Sequence, residues 1–304
     1  MPVAFIPHGG GPWPFVEMGL PADEVSGLKE YLHSVRLLPR TPPRALLVVS
    51  AHWEEPVPTL MSAAHPPMLY DYYGFPPASY ALTWPAAGDP VLADEVAGLL
   101  EQDGFTTARD ASRGFDHGTF VPLKVTYPEA EVRAIQLSLM EGLNPARHLA
   151  LGRALAPLRD HGVFIVGSGM TFHNLRAFGD PRAGAYAEAF DEWLREVMQR
   201  PPAGRERGLT EWLSAPAARI AHPREEHLIP LMVATGAAGD DPARLAYNGT
   251  FGGTRLSAFE FGDTGRGVAE ARIPEVVVPP RLSVSAVRRY FAGAPCCCVP
   301  NNGR

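Results

Sequence analysis

The run Arg44 to Ala51, RALLVVSA, constrains this chain more than any other stretch. It is apolar almost without interruption and of strand length. That pattern predicts a strand covered on both faces, in a sheet sandwiched between helices. Its neighbours agree. Val3 to Pro7, Arg133 to Leu139 (RAIQLSL) and Val163 to Gly167 (VFIVG) read as further short strands, with amphipathic segments between them. Asp89-Pro90 and Asn144-Pro145 each open a helix, with the polar residue as cap and proline at the first helical position, where its missing N–H costs nothing. The second of these helices is predicted to end at His161-Gly162. Ala22 to about Leu38, Ala183 to about Gln199, Leu209 to Ile220 with an interruption near Pro216, and Glu225 to about Thr235 are also read as helical. Leu245 to Tyr247 and Arg255 to Phe261 are read as closing strands. The expected class is α/β: a single three-layer α/β/α domain on a mixed, mainly parallel sheet.

Of 304 residues, 46% are hydrophobic, enough for a sizeable core, and 27 basic against 33 acidic side chains leave a net charge of −6. That balance offers no electrostatic reason to bind nucleic acid or an anionic membrane. No apolar stretch approaches the roughly 18 to 20 residues of a membrane helix, and no basic, signal-like leader precedes the first strand, so a cytoplasmic location is expected. The three cysteines, Cys296 to Cys298, are adjacent, which allows neither a disulfide framework nor tetrahedral zinc spacing among them. Residues 1–262 read as the catalytic domain and 263–304 as a loosely packed or disordered extension; Val276 to Val278 is a minor strand candidate within it. The oligomeric state is left open, a homo-oligomer included.

The ten histidines carry the functional signal. His8 follows the first strand in PHGGGP, His52 follows the second in SAHW, His173 follows VFIVG within GSGMTFHN, and His227 lies in HPREEHLIP, read as the first turns of a helix. In an open α/β sheet, the loops at the carboxyl ends of strands share one crevice, so these four imidazoles are expected to meet. Neutral imidazole binds zinc, iron, copper and nickel, and Glu225 and Glu226 beside His227 leave the third ligand open between carboxylate and imidazole. His222, extended before Pro223, reads as structural or supporting. His117 in RGFDHGTF is a candidate acid/base, against the plainer reading of an Asp116-His117 turn without chemistry. His33, His148 and His161 read as surface or packing residues, and His65 as a turn residue. The aromatic loop from His65 to Trp84 is read either as the wall of a flat apolar pocket or as a small core of its own rings. Gly9, Gly10 and Gly11 do not form a phosphate-binding fingerprint. The chain has 62 Pro and Gly residues, and much of that surplus falls around the candidate histidines, as expected of rigid strand-end turns.

PHGGGP, VVSAHWE, YYGFPPASY, GFDHGTFVPL, IQLSL, GSGMTFHNL and HPREEHLIPL occur in the order seen in class III extradiol ring-cleavage dioxygenases. The chain resembles above all the DOPA 4,5-dioxygenase-like branch of the LigB superfamily, over roughly residues 3 to 262. The resemblance implies a non-haem Fe(II) site, or Zn(II) as in some members. It places His8, His52 and His227 at the metal, His173 as a further ligand or the acid/base, and His117 in the active site. The expected reaction inserts both atoms of O2 into a catechol-type ring. A departure from many members, HGGGP for HGSP at His8, leaves the substrate unassigned. Two rival readings share the fold: a zinc-dependent hydrolase with Glu226 or His173 as base, and a non-catalytic binding protein.

Overall fold

A computed structural model of the chain describes residues 1–177, 180 and 182–265. The run that opens the sequence argument becomes β2, Ala45–Glu55, buried from Ala45 through Ala51. It lies in an eight-stranded sheet with β1 (Val3–Pro7), β3 (Thr59–Met61), β4 (Ala108–Asp110), β5 (Arg133–Met140), β6 (Val163–Gly169), β7 (Ala243–Phe251) and β8 (Thr254–Phe261), in the order β4-β3-β5-β2-β6-β1-β8-β7. The central strands β5, β2, β6 and β1 are mutually parallel, while β8 joins β1 and β7 antiparallel. Helices cover both faces, and the class expected from the sequence is the one observed.

The helices are α1 (Ala22–Val35), α2 (Pro90–Gln102), α3 (His117–Thr126), α4 (Pro145–Leu155), α5 (Ala183–Met198), α6 (Pro202–Thr210), α7 (Ala218–Ala221) and α8 (Ile229–Ala238). Asp89 and Asn144 cap α2 and α4 by accepting from the backbone N–H of Leu92 and Arg147, both at 3.0 Å, as their sequence context predicts. α1 packs with α3, and α4 packs with α8, which itself lies against β6 and β1. Every residue of α8 is buried, consistent with a sequence that is apolar but for Thr235.

The segment Leu209 to Ile220 is interrupted near Pro216 as its sequence suggests: α6 ends at Thr210, a short 3-10 turn follows, and Ala217 adopts a left-handed φ of 55° before α7. Two expectations need correction. The helix carrying the HPREEHLIP motif begins at Ile229, so His227 lies in the turn before it. β2 runs on through His52 to Glu55, with its register against β5 shifting between Val49 and Glu54. His52 therefore projects from an irregular stretch within the strand, not from a loop after it. The Val276 to Val278 and Cys296 to Cys298 readings lie outside the described residues.

Candidate metal centre

Because β1, β2 and β6 run parallel side by side, their carboxyl ends bring His8, His52 and the segment of His173 to one edge of the sheet. The turn before α8 adds His227. One nitrogen from each of His8, His52 and His227 lies within 4.8 Å of the others. The ring centroids of His8 and His52 are 4.9 Å apart, those of His8 and His227 5.2 Å, and those of His52 and His227 4.8 Å.

Hydrogen bonding settles which nitrogen of His8 faces inward. Ser168 has one hydroxyl proton, which it donates to the Gly118 carbonyl. It must therefore accept from His8 Nδ1 at 3.1 Å, leaving His8 Nε2 with its lone pair. Similarly, His227 Nδ1 donates to Glu226 Oε1 at 2.9 Å, and its Nε2 is buried without a partner. His52 Nε2 sits 3.2 Å from His8 Nε2. Two imidazoles bound to one ion at about 2.1 Å would place their nitrogens roughly 3.0 to 3.4 Å apart, so this spacing is that of two donors aimed at a common cation.

Burial acts on the same three rings. It holds the pKa of His8 and His52 well below the usual histidine value, with neighbouring imidazoles adding to the effect, and lowers His227 to about 4. The rings are therefore neutral at pH 7, the form that binds a metal. A nitrogen set with an orphaned buried Nε2 and second nitrogens tied to Ser168 and Glu226 fits a divalent transition metal.

Two further imidazoles flank the trio. His173 stacks on His227 with centroids 3.3 Å apart, and its Nδ1 lies 3.4 Å from Glu226 Oε1. One carboxylate thus serves both rings: burial raises its proton affinity, but its hydrogen bonding to His173 and His227 outweighs this and holds it well below the usual carboxylate range. His173 is partly exposed, and by position it groups with Glu226 and His227. His117 is the first residue of α3, 4.0 Å from the His52 ring centroid to centroid. Its Nδ1 and its backbone N–H both meet Asp71 Oδ1, at 2.8 and 2.9 Å. Burial lowers its proton affinity, but Asp71 more than offsets this and the pKa rises.

The Asp116-His117 turn combines both readings made from the sequence. Asp116 caps α3 and accepts from Ser50, Thr119, Arg113 and Gln136, while His117 enters the imidazole cluster. Gly118 is required by close approach: a Cβ there would meet Ser50 Oγ at 2.7 Å and His52 Cδ2 at 2.8 Å. Gly9, at φ +76°, lets the chain turn under Trp13, whose ring would stand 2.6 Å from an added Cβ.

His222 is structural, as expected. Its Nε2 donates to the Thr171 carbonyl at 3.0 Å, and His173 N–H donates to Ala221 O at 2.9 Å, so the segments carrying His173 and His227 are pinned together. His148 is a packing residue, accepting from Met140 N–H and donating to Asn144 O, and His65 and His161 are exposed. The aromatic loop both packs on itself and reaches the site. Trp84 is buried against Phe115, while the Tyr72 ring lies 5.8 Å from that of His117 and 5.6 Å from Phe75. Asp71 and Ser168 were not singled out by the sequence reading: one carboxylate among loop tyrosines and one serine within an apolar strand carry no periodic signal.

Residues 3–255 match the family described as the catalytic LigB subunit of aromatic ring-opening dioxygenase. The chain belongs to the LigB family. This LigB protein is 37% identical to a dioxygenase of Hapsidospora irregularis over 86% of its own length and 85% of that protein's. It is 38% identical to the 4,5-DOPA dioxygenase extradiol of Beta vulgaris, over 79% and 91% of the two chains. It is 33% identical to the protein of the same name from Escherichia coli K12, over 82% and 90%. A crystal structure of an uncharacterized Escherichia coli K12 protein superposes with a TM-score of 0.69 at 29% identity, covering 86% of this LigB protein and all of that chain. No helix among the described residues is long and apolar enough to cross a membrane.

Proposed function

We propose that this LigB protein is an extradiol dioxygenase that inserts both atoms of O2 into a catechol-type ring, using Fe(II) held by His8, His52 and His227. The observation that carries this reading is the convergence of three neutral imidazoles with two more, His117 and His173, each backed by a carboxylate. When bound, Fe(II) supplies coordination of the two catechol oxygens and the redox chemistry toward O2 that zinc lacks.

The chain's own residues supply the rest. His117, its proton affinity raised by Asp71, takes a proton from a catechol hydroxyl. His173, partly exposed and backed by Glu226, is the second imidazole placed to accept a proton and return it during ring opening. Tyr72 offers a flat wall beside His117, and its own hydroxyl is engaged by donating to Ser79 O at 2.6 Å. Burial raises the Tyr72 pKa, so the phenol keeps its proton and stays out of the exchange.

The deciding experiment is anaerobic loading with Fe(II), then a panel of catechols and air, with O2 uptake and absorbance followed together. Uptake stoichiometric with a yellow ring-opened product is expected. Ester hydrolysis by the zinc form with no O2 uptake on any catechol would replace this reading with a hydrolase. Metal content far below one per chain would point to a binding protein. Zinc in a purified sample is compatible with iron as the working metal, since nitrogen and oxygen sites hold zinc more tightly than Fe(II).

A further inference from the structure

Asp71 stands between two histidines contributed by distant parts of the chain. Its Oδ1 is taken up by His117, accepting from both the backbone N–H and Nδ1. Its Oδ2 is buried with no hydrogen-bond partner, and so is His52 Nδ1; these two atoms face each other at 3.5 Å. Leaving either group unpaired is costly, and a closure of a few tenths of an ångström satisfies both at once. A second metal among Asp71, His52 and His117 is disfavoured by the same geometry. His117 Nδ1 is already committed as a donor to Oδ1 and has no lone pair to offer.

We propose that Asp71 is a positioning residue that sets two imidazoles with one carboxylate. Oδ1 fixes the proton of His117 on Nδ1, and Oδ2 fixes that of His52 on Nδ1, which leaves the Nε2 lone pair of His117 for substrate and that of His52 for the ion. The inference rests on the reading of His8, His52 and His227 as metal ligands. It extends to His52 the arrangement that Ser168 makes with His8 and Glu226 with His227, so that all three ligands have their second nitrogen held.

The test uses the metal-free full chain, zinc as the probe ion, and two variants. Asp71→Asn keeps an oxygen for His117 but sets an NH2 group against His52 Nδ1, whereas Asp71→Ala removes both contacts. Zinc affinity, from competition with a chromophoric chelator, is expected to fall about 10- to 100-fold in both. The 15N signals of His117 are expected to keep the Nδ1–H pattern in Asp71→Asn and lose it in Asp71→Ala. Zinc binding by Asp71→Asn within twofold of the wild type would overturn the proposal. So would a wild-type spectrum with the His52 proton on Nε2, and that measurement decides the matter alone if neither variant folds. None of these readings needs turnover. A wild type that binds zinc as expected but consumes no O2 would sink the ring-cleavage reading and leave Asp71 in its role, and an active enzyme indifferent to Asp71→Asn would do the reverse.

Discussion

Ser168→Ala isolates the device that orients His8. The serine hydroxyl does two things with one oxygen: it donates to the Gly118 carbonyl and accepts from His8 Nδ1. Alanine leaves both of those buried groups without a partner, and each unsatisfied group costs about 1–3 kcal/mol, a substantial part of the roughly 5–15 kcal/mol by which a domain is stable. A second effect separates the site from the scaffold. With no acceptor at Nδ1, His8 is free to carry its proton on Nε2, where it donates to His52 Nε2 at 3.2 Å and closes the metal position. Loss of an interaction of this kind costs about 10- to 100-fold in metal affinity. The assays are urea unfolding of the metal-free protein and zinc affinity by chelator competition. A variant destabilised by about 2 kcal/mol or more with zinc affinity unchanged would show that Ser168 merely braces β6. Unchanged behaviour in both would refute the hydrogen-bond reasoning altogether.

Other outcomes follow from the same geometry. Gly118→Ala gains up to about 1 kcal/mol of helix propensity but forces a methyl within 2.8 Å of His52, an overpacking worth about 1–3 kcal/mol, so metal affinity falls more than the melting temperature does. His227→Ala is expected to abolish stoichiometric metal retention after dialysis. His173→Ala keeps the metal and lowers turnover by about 10²- to 10⁴-fold; loss of metal from it would make His173 a ligand instead. Burial lowers His148 to about 4, below its unfolded value of about 6.5, so the unfolded chain binds a proton that the folded one refuses. The stabilising effect is therefore full above about pH 6.5 and is lost as pH falls through 4, by about 3 kcal/mol. Urea unfolding at pH 7 and pH 4.5 is expected to show a shallower acid loss in His148→Gln than in the wild type.

Much of the site was legible because parallel strands obey a simple rule: a histidine just beyond an apolar run arrives at the same sheet edge as every other such histidine. His8 and His52 were found this way, even though β2 continues past His52 through an irregularity that periodicity does not reveal. The helix starts at Pro90 and Pro145 were legible because cap and proline act locally. The interruption near Pro216 was legible for the same reason, but the left-handed conformation of Ala217 beside it was not, since packing imposes it on a residue with no such preference. Glu226 was legible as a candidate ligand or base beside His227, but not as a carboxylate shared with His173. Its bond to one ring and closeness to the other arise from a turn before α8 and a loop after β6, more than fifty residues apart in sequence.

The place of β1 has a consequence for how the molecule is made. Among the described residues β1 pairs with β6 and β8, so it finds its earlier partner after about residue 169 and its later one near residue 261. A growing chain can shape β2 and β5 while β1 still waits unpaired, a long-range closure of the kind that slows folding. His8 cannot join His52 until β1 docks, nor His227 until most of the chain exists. If His8, His52 and His227 hold the metal as proposed, loading follows synthesis of the turn before α8, and a ribosome-bound fragment that stops short of His227 holds no complete site in which to trap the wrong ion.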